Sequence, residues 1–190
     1  SLIFSIPVLI NLIVIADSFI LLLLTDKWSS VIIYFRLLLL VGLLHPIHEL
    51  NLQILRALNQ SHLFFSLDVI KGILRLVNIS LMYQFGIVYI IIGEIIISLL
   101  SIPINTFYTY KFINYGLIDT MKDTYKLYLF GILSGVVGFY SIFSIDNLII
   151  KLASGLVITT SFFLSMQFLF NRTLLIRSFN IGYRNIVNNE

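Results

Sequence analysis

The 190-residue chain has no cysteine, one tryptophan and three prolines, and only 11% of its residues are charged. Without cysteine there is neither a disulfide framework nor a thiolate metal site. The shortage of charge excludes more. Soluble domains carry about 25% Asp, Glu, Lys and Arg, so one water-soluble core fits poorly. No Gly-rich phosphate loop is present and no serine stands beside an evident base, so the chain is not expected to be an enzyme or to carry a cofactor. The net charge of +3 is small and does not argue for nucleic acid.

Apolar sequence dominates instead: 59% of residues are hydrophobic and the mean hydropathy is +1.02. The runs far exceed the roughly 9–11 residues of a membrane β-strand and lack strict alternation. The fold class expected is therefore all-α, a polytopic membrane helix bundle with about six transmembrane helices. The spans fall at about Leu2–Leu24, Val31–Leu55, Leu63–Tyr83, Ile87–Tyr110, Leu127–Ile145 and Leu148–Phe170. The first lacks a basic leader and a small-residue cleavage site, so it reads as a span and not as a signal peptide. Residues 1–171 form the expected bundle and 172–190 a cytoplasmic tail.

Basic residues set the expected orientation. Arg56, Lys111, Lys122, Lys126 and the tail arginines Arg172, Arg177 and Arg184 fall on one side. Lys27 and Lys151 fall on the other, with Arg36 near that end. The positive-inside rule puts both chain ends in the cytoplasm.

Charges within the spans are the candidates for function. On the third span Asp68, Lys71, Arg75 and Asn78 share one helical face. A charge at a helix centre costs about 2.5–3.5 kcal/mol on the insertion scale, so this face is expected to meet protein or water. The fourth span carries a second polar face of Glu94, Ser98, Ser101, Asn105 and Tyr108. Arg75 lies roughly 16 Å and Glu94 roughly 18 Å from the inner side by helical rise, so the two are expected to pair across a hairpin. His45, His48, Glu49 and Arg56 surround Pro46 on the second span and suggest a polar cavity wall. Two histidines are too few converging ligands for a metal site. Gly131, Ser134, Gly135 and Gly138 form small-residue faces on the fifth span that admit a close helix neighbour.

Two segments carry a family resemblance. Residues 16–28, ADSFILLLLTDKW, and residues 45–71, HPIHELNLQILRALNQSHLFFSLDVIK, are similar to runs in bacterial oligosaccharide flippases of the multidrug/oligosaccharidyl-lipid/polysaccharide exporter superfamily. The spacing continues through Ile92-Gly93-Glu94 and Asn105. Departures are His45 for the usual Tyr, Asn59 for a Gly, Asp17-Ser18 for a more apolar pair, and Glu94 for what is often a Gln. The resemblance implies export of undecaprenyl-diphosphate-linked oligosaccharide units across the bacterial inner membrane by alternating access, with membrane lipids and a lipid-linked oligosaccharide as partners. It also implies two lobes, of which this chain supplies one. Opening at Ser1 inside an apolar run, it is expected to be the C-terminal portion, partnered by an N-terminal lobe of the same protein.

On that reading Lys71, Arg75, Asn78, Glu94, His48 and Glu49 line the substrate cavity. Lys71 and Arg75 meet the diphosphate, and Pro46 lets its helix bend. The competing readings are a cation-coupled multidrug antiporter, with Asp17 or Glu94 as the ion-coupling carboxylate, and a membrane-embedded glycan-assembly enzyme. The enzyme would need longer outer loops than these. A non-transporting scaffold would leave the buried charges without purpose.

Overall fold

The computed structural model describes residues 2–171. Ser1, the expected tail at 172–190 and its arginines Arg172, Arg177 and Arg184 lie outside them. Seven α-helices follow in order: α1 Leu2–Val14, α2 Ala16–Leu24, α3 Val31–Ala57, α4 Ser61–Met82, α5 Ile87–Ile113, α6 Leu117–Ile142 and α7 Leu148–Phe170. No strand occurs among the described residues. The all-α membrane-helix class stands.

Among the described residues polar side chains are buried as often as apolar ones, and many large apolar side chains face outward. Asn51, Thr109, Thr120 and Gln167 are 0% exposed, whereas Leu169 is 72% exposed. Hydrocarbon surroundings favour this distribution, because lipid solvates leucine and leaves amides and hydroxyls to find partners inside. Many of these hydroxyls return to their own helix: Thr106 Oγ1 donates to Ile102 O at 3.0 Å and Thr124 Oγ1 to Thr120 O at 2.7 Å.

Three features differ from the sequence reading. The expected first span is broken: α1 and α2 meet at Ile15 with a 70° bend. The second difference is at α6, which begins at Leu117, ten residues before the expected Leu127. Its polar first turns hold because the Asp119 carboxylate accepts from Gly116 N–H at 3.0 Å and Thr120 Oγ1 donates to Gly116 O at 3.0 Å. The third difference is in the number of spans. By length and hydropathy α3, α5, α6 and α7 can cross a membrane, and the α1–α2 pair makes five if it is one bent span. Helix α4 forms where expected and, with 22 residues, reaches about 33 Å. Asp68, Lys71 and Arg75 exclude it from an apolar set.

The turns follow local chemistry. Gly86, at φ 105°, closes the α4–α5 turn in a conformation that side chains rarely adopt. Asn147 caps α7, its Oδ1 accepting from Ile149 N–H at 3.0 Å and Ile150 N–H at 3.2 Å. In the α5–α6 turn, Tyr115 O–H donates to Asp123 Oδ2 at 2.8 Å. Burial, then that hydrogen bond and charge, push the phenol up to about 12.

The described residues divide into two compact units, one spanning 30–125 and the other 2–29 with 126–171. In the second unit α1 lies on the glycine face of α6. A Cβ at Gly135 would meet Ile10 Cγ2 at 2.8 Å, and one at Gly131 would meet Ile10 and, at 3.0 Å, Ile6 Cγ2. Gly138 is closed by Thr159 of α7, and Gly155 of α7 by Ile15, at 2.6 Å from its Cγ2. Asn11 ties α1 to α7 by donating to Thr160 Oγ1 at 3.2 Å.

Candidate functional site: a polar cavity among three helices

Unit 30–125 is built on α3, α4 and α5, with α3 and α5 in the most extensive contact. Leu52, Leu55 and Leu67 form its apolar centre, with Phe64 and Tyr108 packed against them. Beside Phe64, the Arg56 guanidinium stacks on the ring at 3.9 Å. This is a cation–π contact that ties the end of α3 to the start of α4.

Two buried hydrogen bonds fix the register of α3 on α5. Asn105 Nδ2 donates to His48 Nδ1 at 3.2 Å, and Thr109 Oγ1 donates to Asn51 Oδ1 at 3.2 Å. This alignment sets Pro46 of α3 and Pro103 of α5 level, each two residues before the His48–Asn105 bridge. Each proline withholds a backbone donor from its helix. The sequence reading had singled out Pro46 alone.

Above the apolar centre is a cavity of about 120 Å³. From α3 it receives His45, His48 and Glu49, and from α4 Asp68, Lys71 and Arg75. From α5 come Ser98 and Ser101, the Ser101 hydroxyl donating to Ile97 O at 2.7 Å. The i, i+3, i+7 spacing of Asp68, Lys71 and Arg75 brings all three to one helix face. Lys71 is buried, and its Nζ lies 3.9 Å from Asp68 Oδ1. His48 is buried too, and its Nε2 has no hydrogen-bond partner among the described residues.

Four of the six expected cavity residues, Lys71, Arg75, His48 and Glu49, line this space. Glu94 and Asn78 stand beside it. Arg75 Nε donates to Glu94 Oε1 at 2.7 Å across the α4–α5 hairpin, the pairing that their depths had suggested. Asn78 is buried over Gly93, where a Cβ would collide with its amide, and its Nδ2 donates to Ile90 O at 2.9 Å. Asp17 lies in the first turn of α2, in the other unit. Ser98 and Ser101 were visible as a polar face but were not singled out as cavity residues. Their spacing was the available signal.

The cavity can bind and orient a polar group. Lysine, arginine and histidine donate hydrogen bonds, carboxylates accept them, and serine does both. Among the described residues no group of three or more His, Asp or Glu is placed to hold a metal ion. Comparison with protein-family models, curated proteins and solved structures finds no match.

Proposed function

We propose that the chain is part of a membrane transporter that flips undecaprenyl-diphosphate-linked oligosaccharide units for surface polysaccharide assembly. The observation that carries this reading is the cavity at Lys71 and Arg75, a place for polar groups between helices whose outer faces are apolar. A lipid-linked diphosphate sugar needs cations for its phosphates, hydroxyl and carboxylate partners for its sugars, and lipid for its tail. Glu49, Ser98 and Ser101 supply the sugar partners. The level prolines of α3 and α5 let the two helices bend together, as alternating access between the leaflets would require. No bond is made or broken, so the reading needs neither a catalytic group nor a cofactor.

The test places Lys71→Gln, in the natural reading frame, in a bacterium lacking its own polysaccharide flippase. With the variant at normal membrane abundance, surface polysaccharide is expected to fall at least tenfold while lipid-linked units accumulate in the inner leaflet. Normal polysaccharide at normal abundance would rule the reading out. The antiporter alternative makes the opposite demand: drug resistance that depends on an ion gradient and on Asp17 or Glu94.

The orientation belongs to the same proposal. The protein sits in the bacterial inner membrane with both ends of this chain in the cytoplasm, supported by Arg56, Lys111, Lys122 and Lys126 on one side. Single cysteines at Asn59 and Gly116 are expected to react only from the cytoplasm, and at Lys27 and Asn147 only from outside. Labelling of Gly116 from outside would overturn the span count.

A further inference from the structure

The turn between α5 and α6 satisfies its own polar groups. Thr109 Oγ1 donates to Tyr115 O at 2.9 Å, and Asn114 N–H to Tyr110 O at 2.8 Å. Asn114 makes that bond from the left-handed region, at φ 54°. Asp119 accepts from Gly116 N–H and Asp123 from the Tyr115 hydroxyl. A turn bonded in this way holds its own shape. Against it lies a groove of about 520 Å³, within the usual size range of small-molecule sites.

Pro103, Phe107 and Tyr110 share one face of α5, at i, i+4 and i+7, and face Leu117 and Ile118 from the start of α6. Gly116 stands between the two walls, where a Cβ would come within 3.2 Å of Tyr110 Cδ2. Thr106 lines the same space, but its hydroxyl donates back to Ile102 O at 3.0 Å. The walls are therefore largely apolar, and among the described residues they stay uncovered: Phe107 is 64% and Ile118 67% exposed.

Charge lies beside this apolar groove. Lys111 is one helical turn beyond Phe107, and Lys122 one turn beyond Ile118. Both are exposed, and neither has a hydrogen bond or an ion pair among the described residues. The carboxylates of the segment, Asp119 at the groove and Asp123 beyond it, are instead engaged by Gly116 and Tyr115. The turn joins two helices long and apolar enough to cross a membrane, so it belongs at a bilayer surface, where Tyr110 suits the headgroup belt. There the apolar walls meet acyl chains and the two free ammonium groups meet headgroups.

We propose that this groove binds one anionic phospholipid, with an acyl chain against Phe107, Tyr110 and Ile118 and the phosphate at Lys111 and Lys122. The walls give affinity for any acyl chain, and the lysines give the preference for a negative headgroup. The site needs a membrane and no transported substrate, so it stands apart from the transport reading.

The experiment is native mass spectrometry of the 190-residue chain in mild detergent, titrated with dioleoyl phosphatidylglycerol or with phosphatidylcholine of the same chains. The expected result is one phosphatidylglycerol bound about tenfold more tightly than the first phosphatidylcholine. Lys111→Gln with Lys122→Gln is expected to equalise the two lipids, while Lys27→Gln with Lys151→Gln, elsewhere in the chain, leaves the preference intact. Ile118→Trp fills the groove and is expected to weaken the first site for both lipids several-fold. Equal affinities in the unsubstituted chain overturn the proposal and make the bound lipid annular only. A preference that survives the Lys111 and Lys122 substitutions overturns it too, as does a first site indifferent to Ile118→Trp. Farnesyl diphosphate that displaces phosphatidylglycerol and binds more tightly would give the groove to a prenyl tail and overturn the phospholipid assignment. If Ile118→Trp does not accumulate, the lysine variants decide, because Lys111 and Lys122 make no bond whose loss could unfold the chain.

Discussion

Arg75→Gln and Glu94→Gln are each expected to lower the amount of chain in the membrane, and the double substitution is expected to restore it. The two side chains meet at 2.7 Å from neighbouring helices, Arg75 49% and Glu94 20% exposed. Removing one partner leaves a full charge partway along the α4–α5 hairpin. Breaking a fully buried pair typically costs about 3–5 kcal/mol. The open half of Arg75 argues for less, nearer the insertion-scale cost of about 2.5–3.5 kcal/mol for a central charge. Even the lower figure corresponds to roughly a sixtyfold change in an equilibrium constant, so quantitative immunoblotting of membranes should resolve it. Two glutamines together bury no charge and can bond to each other. Polysaccharide export then separates two roles for Arg75. If its terminal nitrogens hold the diphosphate, the double variant recovers abundance but not export. Recovery of both would confine Arg75 to structure, and normal abundance of both single variants would mean that the pair contributes little.

Gly138→Ile is expected to be the most disruptive single change in the unit that contains α1 and α7. A Cβ at Gly138 would overlap the Thr159 methyl, and Val14 Cγ1 stands 3.6 Å away, so both neighbours oppose displacement. Overfilling a packed contact typically costs about 1–3 kcal/mol, and a β-branched side chain on this face adds bulk beyond the Cβ. The expected result is loss of most folded chain, read by fluorescence-detected size exclusion after mild detergent extraction. A compensating pair tests the cause. Thr159→Ser removes the obstructing methyl and keeps the hydroxyl that bonds to Gly155 O at 2.6 Å. Gly138→Ala with Thr159→Ser is therefore expected to run as a single peak where Gly138→Ala alone is impaired. If Gly138→Ile behaves like the unsubstituted chain, α6 and α7 do not meet at this glycine.

Much of this architecture is legible from local pattern. Apolar run length placed α3, α4, α5 and α7 within a few residues of their observed ends, because a helix in hydrocarbon must satisfy its own backbone. Gly86 and Asn147 hold two turns through a conformation and a cap that a single residue supplies. The Arg75–Glu94 pairing followed from counting helical rise on either side of a tight turn, a geometry with almost no freedom. The small-residue face of α6 likewise announced a close neighbour, but not that Ile10 of α1 and Thr159 of α7 would fill it.

The break at Ile15 falls eight residues after Pro7, with no proline or glycine at the bend itself. The early start of α6 rests on two side-chain bonds within a segment whose polarity looks like a loop. Asn78 shared a face with Lys71 and Arg75 in sequence, yet the notch at Gly93 draws it onto α5 and away from the cavity. Glu49 and Glu94 are both carboxylates within helices, and only the packing of α3, α4 and α5 gives Glu94 an arginine and sets Glu49 on the cavity wall. Periodicity specifies which residues share a side of one helix. Which sides meet, and at what register, depends on bonds such as His48–Asn105 that join residues 57 positions apart, and those exist only once the helices have packed.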